Sequence, residues 1–101
     1  MRVIFRPQAR AELIEARAWY EERSPGLGSE FARAVDSAVE RARRMPRAFR
    51  FIEADFRQVV MRRFPYSIIY YATDTELVVV SCFHHSRRPG AWTRNVGRRK
   101  P

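Results

Sequence analysis

The sequence predicts an α+β domain in which two helices pack on one face of an antiparallel sheet. Two stretches, residues 9–20 and 31–45, carry apolar residues at steps of three and four, the spacing of a one-faced helix. Two later runs, residues 66–71 and 77–83, are rich in β-branched and aromatic residues and are typical of strands. Helices followed by strands are the order expected of an α+β domain.

The N-terminus is predicted to form a strand and then a helix. Residues 3–5 are a short apolar run that stops before Pro7, a residue that suits the first turn of a helix better than a central strand. Trp19 and Tyr20, near the end of this helix, are expected to be buried core anchors rather than a binding surface. The inward positions of the helix are predicted to be Ala9, Leu13, Ala16 and Tyr20.

A second helix follows a compact breaker at residues 24–28, so the two helices are expected to form an antiparallel hairpin. Pro46 ends this helix, and cations in its last turns complement the negative end of the helix dipole. Its predicted seam toward the partner helix and the sheet consists of Phe31, Val35, Ala38, Ala42 and Met45.

The C-terminal half is predicted to contribute three strands. Residues 47–55 fit either a ragged strand or a loop, and residues 56–63 fit a strand. The runs 66–71 and 77–83 are joined by the polar residues 73–76, so we expect them to pair antiparallel. Because both runs are almost continuously apolar, they are predicted to be central strands that are covered on both faces.

The predicted hairpin gathers cations at one end, because antiparallel pairing brings its outer ends together. Arg62 and Arg63 alternate faces if the preceding strand continues through them. One is then expected to meet a ligand and the other to pair with Glu53 or Asp55. The candidate working surface comprises Arg62, Arg63, His84, His85, Arg87 and Arg88.

The chain has 101 residues and a formal net charge of +9, which is concentrated in its second half. Residues 1–40 carry 6 cations and 7 acids, whereas residues 41–101 carry 14 cations and 4 acids. Such a field attracts a polyanion, meaning nucleic acid, a ribosome or an acidic protein. The length fits one domain, predicted over residues 1–95, followed by a basic flexible tail at 96–101.

The sequence predicts no metal, cofactor or membrane segment. Cys82 is the one cysteine, so no intramolecular disulfide is expected and a reducing cytoplasm fits. Cys82 and His84 share a strand face, but a metal site needs three or four ligands, and His85 is expected on the opposite face. No apolar run approaches the roughly 20 residues of a membrane helix, and the N-terminus is too charged for a signal peptide. We therefore expect a cytoplasmic protein.

Several short motifs occur in order along almost the whole chain. They are Trp19-Tyr20-Glu21, Pro25-Gly26-Leu27-Gly28 with Phe31, Pro46, Arg63-Phe64-Pro65-Tyr66 with Ile68 and Tyr70, and finally His85, Arg87-Arg88-Pro89 and Trp92. This ordered set resembles the RelE/ParE superfamily of bacterial toxins from type II toxin–antitoxin modules, whose two helices lean on a curved antiparallel sheet. The resemblance implies a growth-arresting toxin and a cognate antitoxin that wraps an acidic segment over it, with a toxin–antitoxin hetero-oligomer as a possible assembly.

The resemblance implies two alternative targets. Ribonuclease members cut mRNA in the ribosomal A site, which requires proton-transfer groups and fixed positive charge at the phosphate. Glu53, Arg63 and His85 partly match the members that use a Glu, an Arg and a His. Two departures weaken this alternative: the only lysine is Lys100, and Ser86 stands where an aromatic residue often follows the His.

ParE-like members instead poison DNA gyrase and are not known for chemistry of their own. The motif at residues 63–66 and the ending from His85 to Trp92 are common in sequences labelled ParE-like, so this alternative is favoured. No cofactor is implied. The surface expected to bind the target or the antitoxin consists of Arg57, Arg62, Arg63, Tyr66, His85, Arg87, Arg88 and Trp92.

Overall fold

A five-stranded sheet forms the centre of the molecule, and a helical hairpin packs on one of its faces. The computed structural model describes residues 1–86 and 92–93. Its elements are β1 (Arg2–Phe5), α1 (Pro7–Arg23), α2 (Leu27–Arg44), β2 (Phe51–Glu53), β3 (Phe56–Val60), β4 (Tyr66–Ala72) and β5 (Glu76–His84). The strand order is β1-β5-β4-β3-β2. The predicted α+β class is confirmed, and the predicted hairpin strands β4 and β5 are central.

The sheet is mixed: the predicted antiparallel segment is confirmed, and the N-terminal strand, whose orientation was not predicted, is parallel to its neighbour. β1 pairs with β5 in parallel, with Arg2 opposite Glu76, while the other neighbouring strands are antiparallel. The segment left open between strand and loop contains the short strand β2, so four strands follow the helices rather than three. Within the described residues, no helix has both the length and the apolarity needed to cross a bilayer.

Both faces of the sheet are covered, as the apolar runs of β4 and β5 predicted. On the helical face, Phe31 is fully buried and its ring lies 5.2 Å from Tyr20 and 5.1 Å from Tyr66. On the other face, Trp92 is buried and contacts Phe56 edge to face at 5.0 Å. Trp92 therefore packs on the body of the domain, against the face of the sheet that the helices leave open.

Two predicted core residues lie at the surface. Trp19 is 50% exposed and Met45 is 63% exposed. Trp19 lies about 100° around α1 from Tyr20, so only one ring of this pair follows the buried stripe. Met45 is the residue at which α2 ends, with φ −137°, so the chain leaves the helical seam before its side chain can join it.

The connection between the helices depends on two glycines and one carboxylate. Gly26 has φ +90°, a left-handed conformation that glycine adopts without steric cost. At Gly28, a Cβ atom would lie 2.8 Å from the backbone oxygen of Arg17, so any side chain would force the helices apart. The Glu21 carboxylate accepts the backbone N–H groups of Gly26 at 3.0 Å and Gly28 at 2.9 Å. Glu21 thus caps the N-terminus of α2 from the neighbouring helix.

This cap predicts a specific dependence of stability on pH. The backbone N–H groups of Gly26 and Gly28 hold the pKa of Glu21 below its ordinary value of 4.5. A depressed folded pKa means that the stabilisation is present above the unfolded pKa and is lost as the pH falls through the folded pKa. We expect Glu21→Gln to lower the unfolding midpoint in urea at pH 7, and the difference from wild type to shrink as the pH is lowered below 4.5.

The matched control is Glu22→Gln, one position further along α1, where the side chain is 75% exposed. Its difference from wild type should be small at both pH values, because exposed ion pairs contribute little to stability. An equal shift for the two variants at pH 7 would show that Glu21 does not act as a cap.

Candidate functional site

The end of the β4–β5 hairpin brings together two segments of chain, as the sequence predicted. The His85 N–H donates to the Pro65 carbonyl at 2.8 Å, and Tyr66 lies opposite His84 in the β4–β5 register. Arg62 follows the end of β3, two strands away from His85, so their backbones lie about 10 Å apart. We call residues 61–66 and 84–86 the hairpin end.

The side chains of His84 and His85 lie on opposite faces of the sheet, also as predicted. The His84 ring contacts Tyr66 edge to face at 4.8 Å, on the helical side of the sheet. Its Nδ1 accepts the backbone N–H of Ser86 at 2.9 Å. The His85 Nε2 instead lies 2.8 Å from the Ser67 hydroxyl. The two imidazoles therefore cannot act on the same substrate atom.

His85 is held by a short hydrogen-bond chain. The Gln58 amide donates from Nε2 to the Ser67 hydroxyl at 2.8 Å, and Ser67 is fully buried. Because the Ser67 oxygen accepts the Gln58 N–H, the Ser67 hydroxyl can donate its hydrogen bond to His85 Nε2. This hydrogen bond holds the imidazole of His85, a residue that is exposed at the surface. Neither Ser67 nor Gln58 was proposed from the sequence, because no sequence pattern distinguishes a strand serine that orients a histidine from any other strand serine.

Arg63 is turned toward the helices rather than toward the expected carboxylates. It has φ +73°, in the left-handed region, and its guanidinium contacts Glu30 of α2 at 2.6 Å. The expected pairing with Glu53 or Asp55 is therefore wrong for Arg63. The reason is that β3 ends at Val60, so strand alternation no longer sets the direction of this side chain.

Arg57 also has a structural role. Its guanidinium donates to the Phe49 carbonyl at 2.7 Å and the Arg47 carbonyl at 3.2 Å, and it stacks over the Phe51 ring at 3.7 Å. Arg57 thus connects β3 to the segment that precedes β2 through these hydrogen bonds. Arg57 is thus committed to internal contacts at the β2 side of the sheet, away from the hairpin end.

Arg62 and Arg63 are both exposed at the hairpin end, but the guanidinium of Arg63 is paired with Glu30. Arg62 lies near Arg41 of α2, whose pKa is lowered by burial and, to a smaller extent, by the charge of Arg62. Arg62 therefore adds to a positive field that a negatively charged partner would relieve. Arg62, Arg63 and His85 are the predicted binding residues that are exposed in the described part of the chain, and Arg63 is paired with Glu30.

The predicted catalytic set Glu53, Arg63 and His85 is not assembled. Glu53 pairs with Phe56 at the opposite end of the sheet. Three strand spacings across the sheet, and most of the length of β5 along it, separate Glu53 from His85, which amounts to roughly 20 Å. Arg63 points to Glu30 on the helical side, whereas His85 points to Ser67. No single phosphate can contact all three groups in this arrangement.

Two more predicted binding residues are largely enclosed. Tyr66 is half-buried among Tyr20, Phe31 and His84, and burial is the main cause that raises its pKa to about 12. Trp92 is 5% exposed. Both contribute more to the core than to a surface. The predicted residues Arg87 and Arg88, and the predicted tail at 96–101, lie outside the described residues.

Cys82 offers neither a thiolate nor a metal ligand at neutral pH. It is buried, and burial raises the pKa of its thiol to about 12. In residues 1–86 and 92–93, no group of three or more His, Cys, Asp or Glu side chains is arranged to hold a metal ion. The thiol is thus a core group of β5.

A cleft lies beside the hairpin end, on the helical side of the sheet. It is a cleft of about 520 Å³ between α1 and the ends of β4 and β5. Its lining includes Glu12, Glu15, Trp19, Tyr66 and His84. The sequence analysis did not identify it. The position of Glu12, three residues after Ala9 and four before Ala16, places a carboxylate on the buried stripe of α1 and could have indicated it.

The fold is a small α+β domain, and within residues 1–86 and 92–93 the predicted groups Glu53, Arg63 and His85 do not meet at one point. A model of the family described as "ParE toxin of type II toxin-antitoxin system, parDE" matches residues 3–89. The chain belongs to this family, and hence to the toxins of type II toxin–antitoxin systems. The predicted RelE/ParE membership is confirmed.

Structural similarity supports the same fold. A solved structure titled "Chromosomal ParDE TA system from P. aeruginosa" superposes with a TM-score of 0.61 at 18% identity, covering 83% of this chain and 95% of that chain. At this identity the likeness concerns the fold alone. Among curated proteins, none matches the chain in sequence.

Proposed function

We propose that this toxin arrests bacterial growth by binding and inhibiting DNA gyrase, and that a cognate antitoxin neutralises it. Membership of the ParE toxin family carries this proposal. The target surface is the hairpin end, where Arg62, Arg63 and His85 are exposed. Arg62 and His85 are its main recognition groups, because the guanidinium of Arg63 is paired with Glu30. A binder of this kind needs fixed and exposed groups, and it needs no proton-transfer pair.

The separation of the candidate acid–base groups supports binding over RNA cleavage. Cleavage requires a base, an acid and fixed charge around one phosphate, within hydrogen-bond reach. Glu53 lies roughly 20 Å from His85, by strand spacing and rise. The guanidinium of Arg63 is paired with Glu30.

The test is a supercoiling assay with purified gyrase and relaxed plasmid, run beside primer extension on mRNA held on purified ribosomes. We expect inhibition of supercoiling and no new cut ends in the A-site codon. Arg62→Ala and His85→Ala should each raise the half-inhibitory concentration about tenfold, the usual effect of removing one important interface side chain.

The control is Arg33→Ala, which removes the same charge from an exposed position on α2. It should leave inhibition within about twofold of wild type, because a remote charge acts only through screened long-range attraction. Cuts in the A-site codon that disappear in His85→Ala would overturn the proposal in favour of a ribosome-dependent endoribonuclease. An equal loss of inhibition in Arg33→Ala would contradict the assignment of the hairpin end.

A further inference from the structure

The cleft beside α1 has a charge opposite to that of the chain as a whole. The chain carries a net charge of +9, yet no Arg or Lys is among the residues that line the cleft in the described part of the chain. Glu12 and Glu15 both line it. This local reversal of sign disfavours a nucleic acid or an acidic segment as the occupant and favours a cation.

The aromatic rings of the cleft are suited to the same ligand. Trp19, Tyr20, Tyr66 and His84 form much of its wall. The Trp19 ring already stacks with the guanidinium of Arg23, at 3.7 Å from the ring centroid. A ring face together with a carboxylate is the combination that binds guanidinium and ammonium groups, through cation–π attraction and charge-assisted hydrogen bonds.

The two carboxylates have different tasks. Glu12 accepts the Ser81 hydroxyl at 2.9 Å and the Cys82 backbone N–H at 3.0 Å, so it forms part of the floor. Glu15 is exposed at the rim. Burial is the main cause that raises the pKa of Tyr66, followed by Tyr20 and Cys82, and the two carboxylates Glu15 and Glu12 add to it in the same direction. Glu15 is therefore the group best placed to meet an incoming cation.

We propose that this cleft receives an arginine or lysine side chain of the antitoxin, with its cationic group between Glu15 and the aromatic wall. The inference rests on the proposed neutralisation by an antitoxin. A cleft of about 520 Å³ has room for one long side chain. The antitoxin fits better than the target, because the cleft lies on the helical face whereas His85 is directed to the opposite face.

Such an antitoxin would carry charges of both signs. Acidic residues would meet the basic half of the toxin, and one basic residue would enter the cleft and fix the register of the segment. Misplaced segments would put like charges together at both sites, which costs free energy and gives specificity.

The first experiment uses a small probe and needs no antitoxin. Nuclear magnetic resonance spectra of the full chain are recorded with N-acetyl-arginine amide and with the neutral isostere N-acetyl-citrulline amide. We expect the arginine probe to shift the Trp19 indole resonance with a dissociation constant in the millimolar range, and Glu15→Lys to abolish that shift. Equal shifts from both probes, or no shift at Trp19, would overturn the cleft as a cation site.

The second experiment titrates the antitoxin encoded beside the toxin into the full-length chain. Glu15→Lys should weaken antitoxin binding at least tenfold and leave gyrase inhibition unchanged, whereas Glu22→Lys, an exposed reversal on the same helix, should change binding less than threefold. Equal weakening by both reversals, or none by Glu15→Lys, would overturn the inference. If the wild-type chain does not bind the antitoxin, the proposed neutralisation fails, while the probe result still decides whether the cleft binds cations.

Discussion

Replacing Phe31 by alanine is expected to lower the free energy of unfolding by about 3–5 kcal/mol, the usual cost of removing a large aromatic side chain from a core. Phe31 is fully buried, and its ring contacts Tyr20, Phe64 and Tyr66 with centroids 5.1 to 5.2 Å away. The loss leaves a cavity where α1, α2 and β4 meet. Small domains are stable by only about 5–15 kcal/mol, so the variant should lose a large part of its stability.

The measurement is urea unfolding at pH 7, with Phe31→Leu as the control. Leucine keeps most of the buried volume, so its cost should be less than half that of alanine. Equal costs for the two variants would show that the surrounding rings collapse into the space and that Phe31 is not the centre of the core.

The second large effect is expected at Glu12. Glu12→Ala removes the acceptor of the buried Ser81 hydroxyl and of the Cys82 backbone N–H. Unsatisfied buried donors cost about 1–3 kcal/mol each, so we expect a loss of about 2–4 kcal/mol. Glu12→Gln retains an oxygen acceptor and should cost clearly less.

Thermal and urea unfolding of both Glu12 variants give the comparison. A loss below about 1 kcal/mol for Glu12→Ala would mean that water replaces the carboxylate at the floor of the cleft. The same measurement distinguishes the role of Glu12 in stability from that of Glu15. Glu15→Lys should leave the unfolding midpoint close to that of wild type.

Local sequence patterns were sufficient to predict most of the buried positions of the helical hairpin. The stripe of Ala9, Ala16 and Tyr20 and the seam from Phe31 to Ala42 follow from a period of 3.6 residues, which depends only on the nearby sequence. Trp19 shows the limit of this reasoning. Its burial was expected from residue type rather than from its angular position, and the angular position decided the outcome.

The sheet could be predicted only in part, because pairing between distant strands leaves no local trace. The apolar runs of β4 and β5 indicated central strands, and the hairpin alone indicated which backbone segments meet at its end. The parallel orientation of β1 and the extra strand β2 depend on partners far away in sequence. The distance between Glu53 and His85 follows from that long-range register and could not be seen beforehand.

Side-chain direction at the hairpin end was the least predictable feature. The alternation that placed His84 and His85 on opposite faces held because both lie at or next to the end of β5. It failed for Arg63, where a positive φ turns the side chain toward Glu30, 33 positions earlier in the chain. The cleft beside α1 could not be predicted, because it forms only where the helix docks on the sheet and the periodicity of a sequence does not specify that docking.

The pairing of β1 with β5 has a consequence for synthesis of the toxin. Arg2 and Glu76 face each other across 74 positions, and β1, at the edge of the sheet, has β5 as its strand neighbour. Such non-local pairing slows folding, since the ends of a long loop must first be brought together. A nascent chain that stops before β5 has neither a partner for β1 nor His85. We therefore expect chains that end before β5 not to fold, so that the domain can form only after β5 has been synthesised.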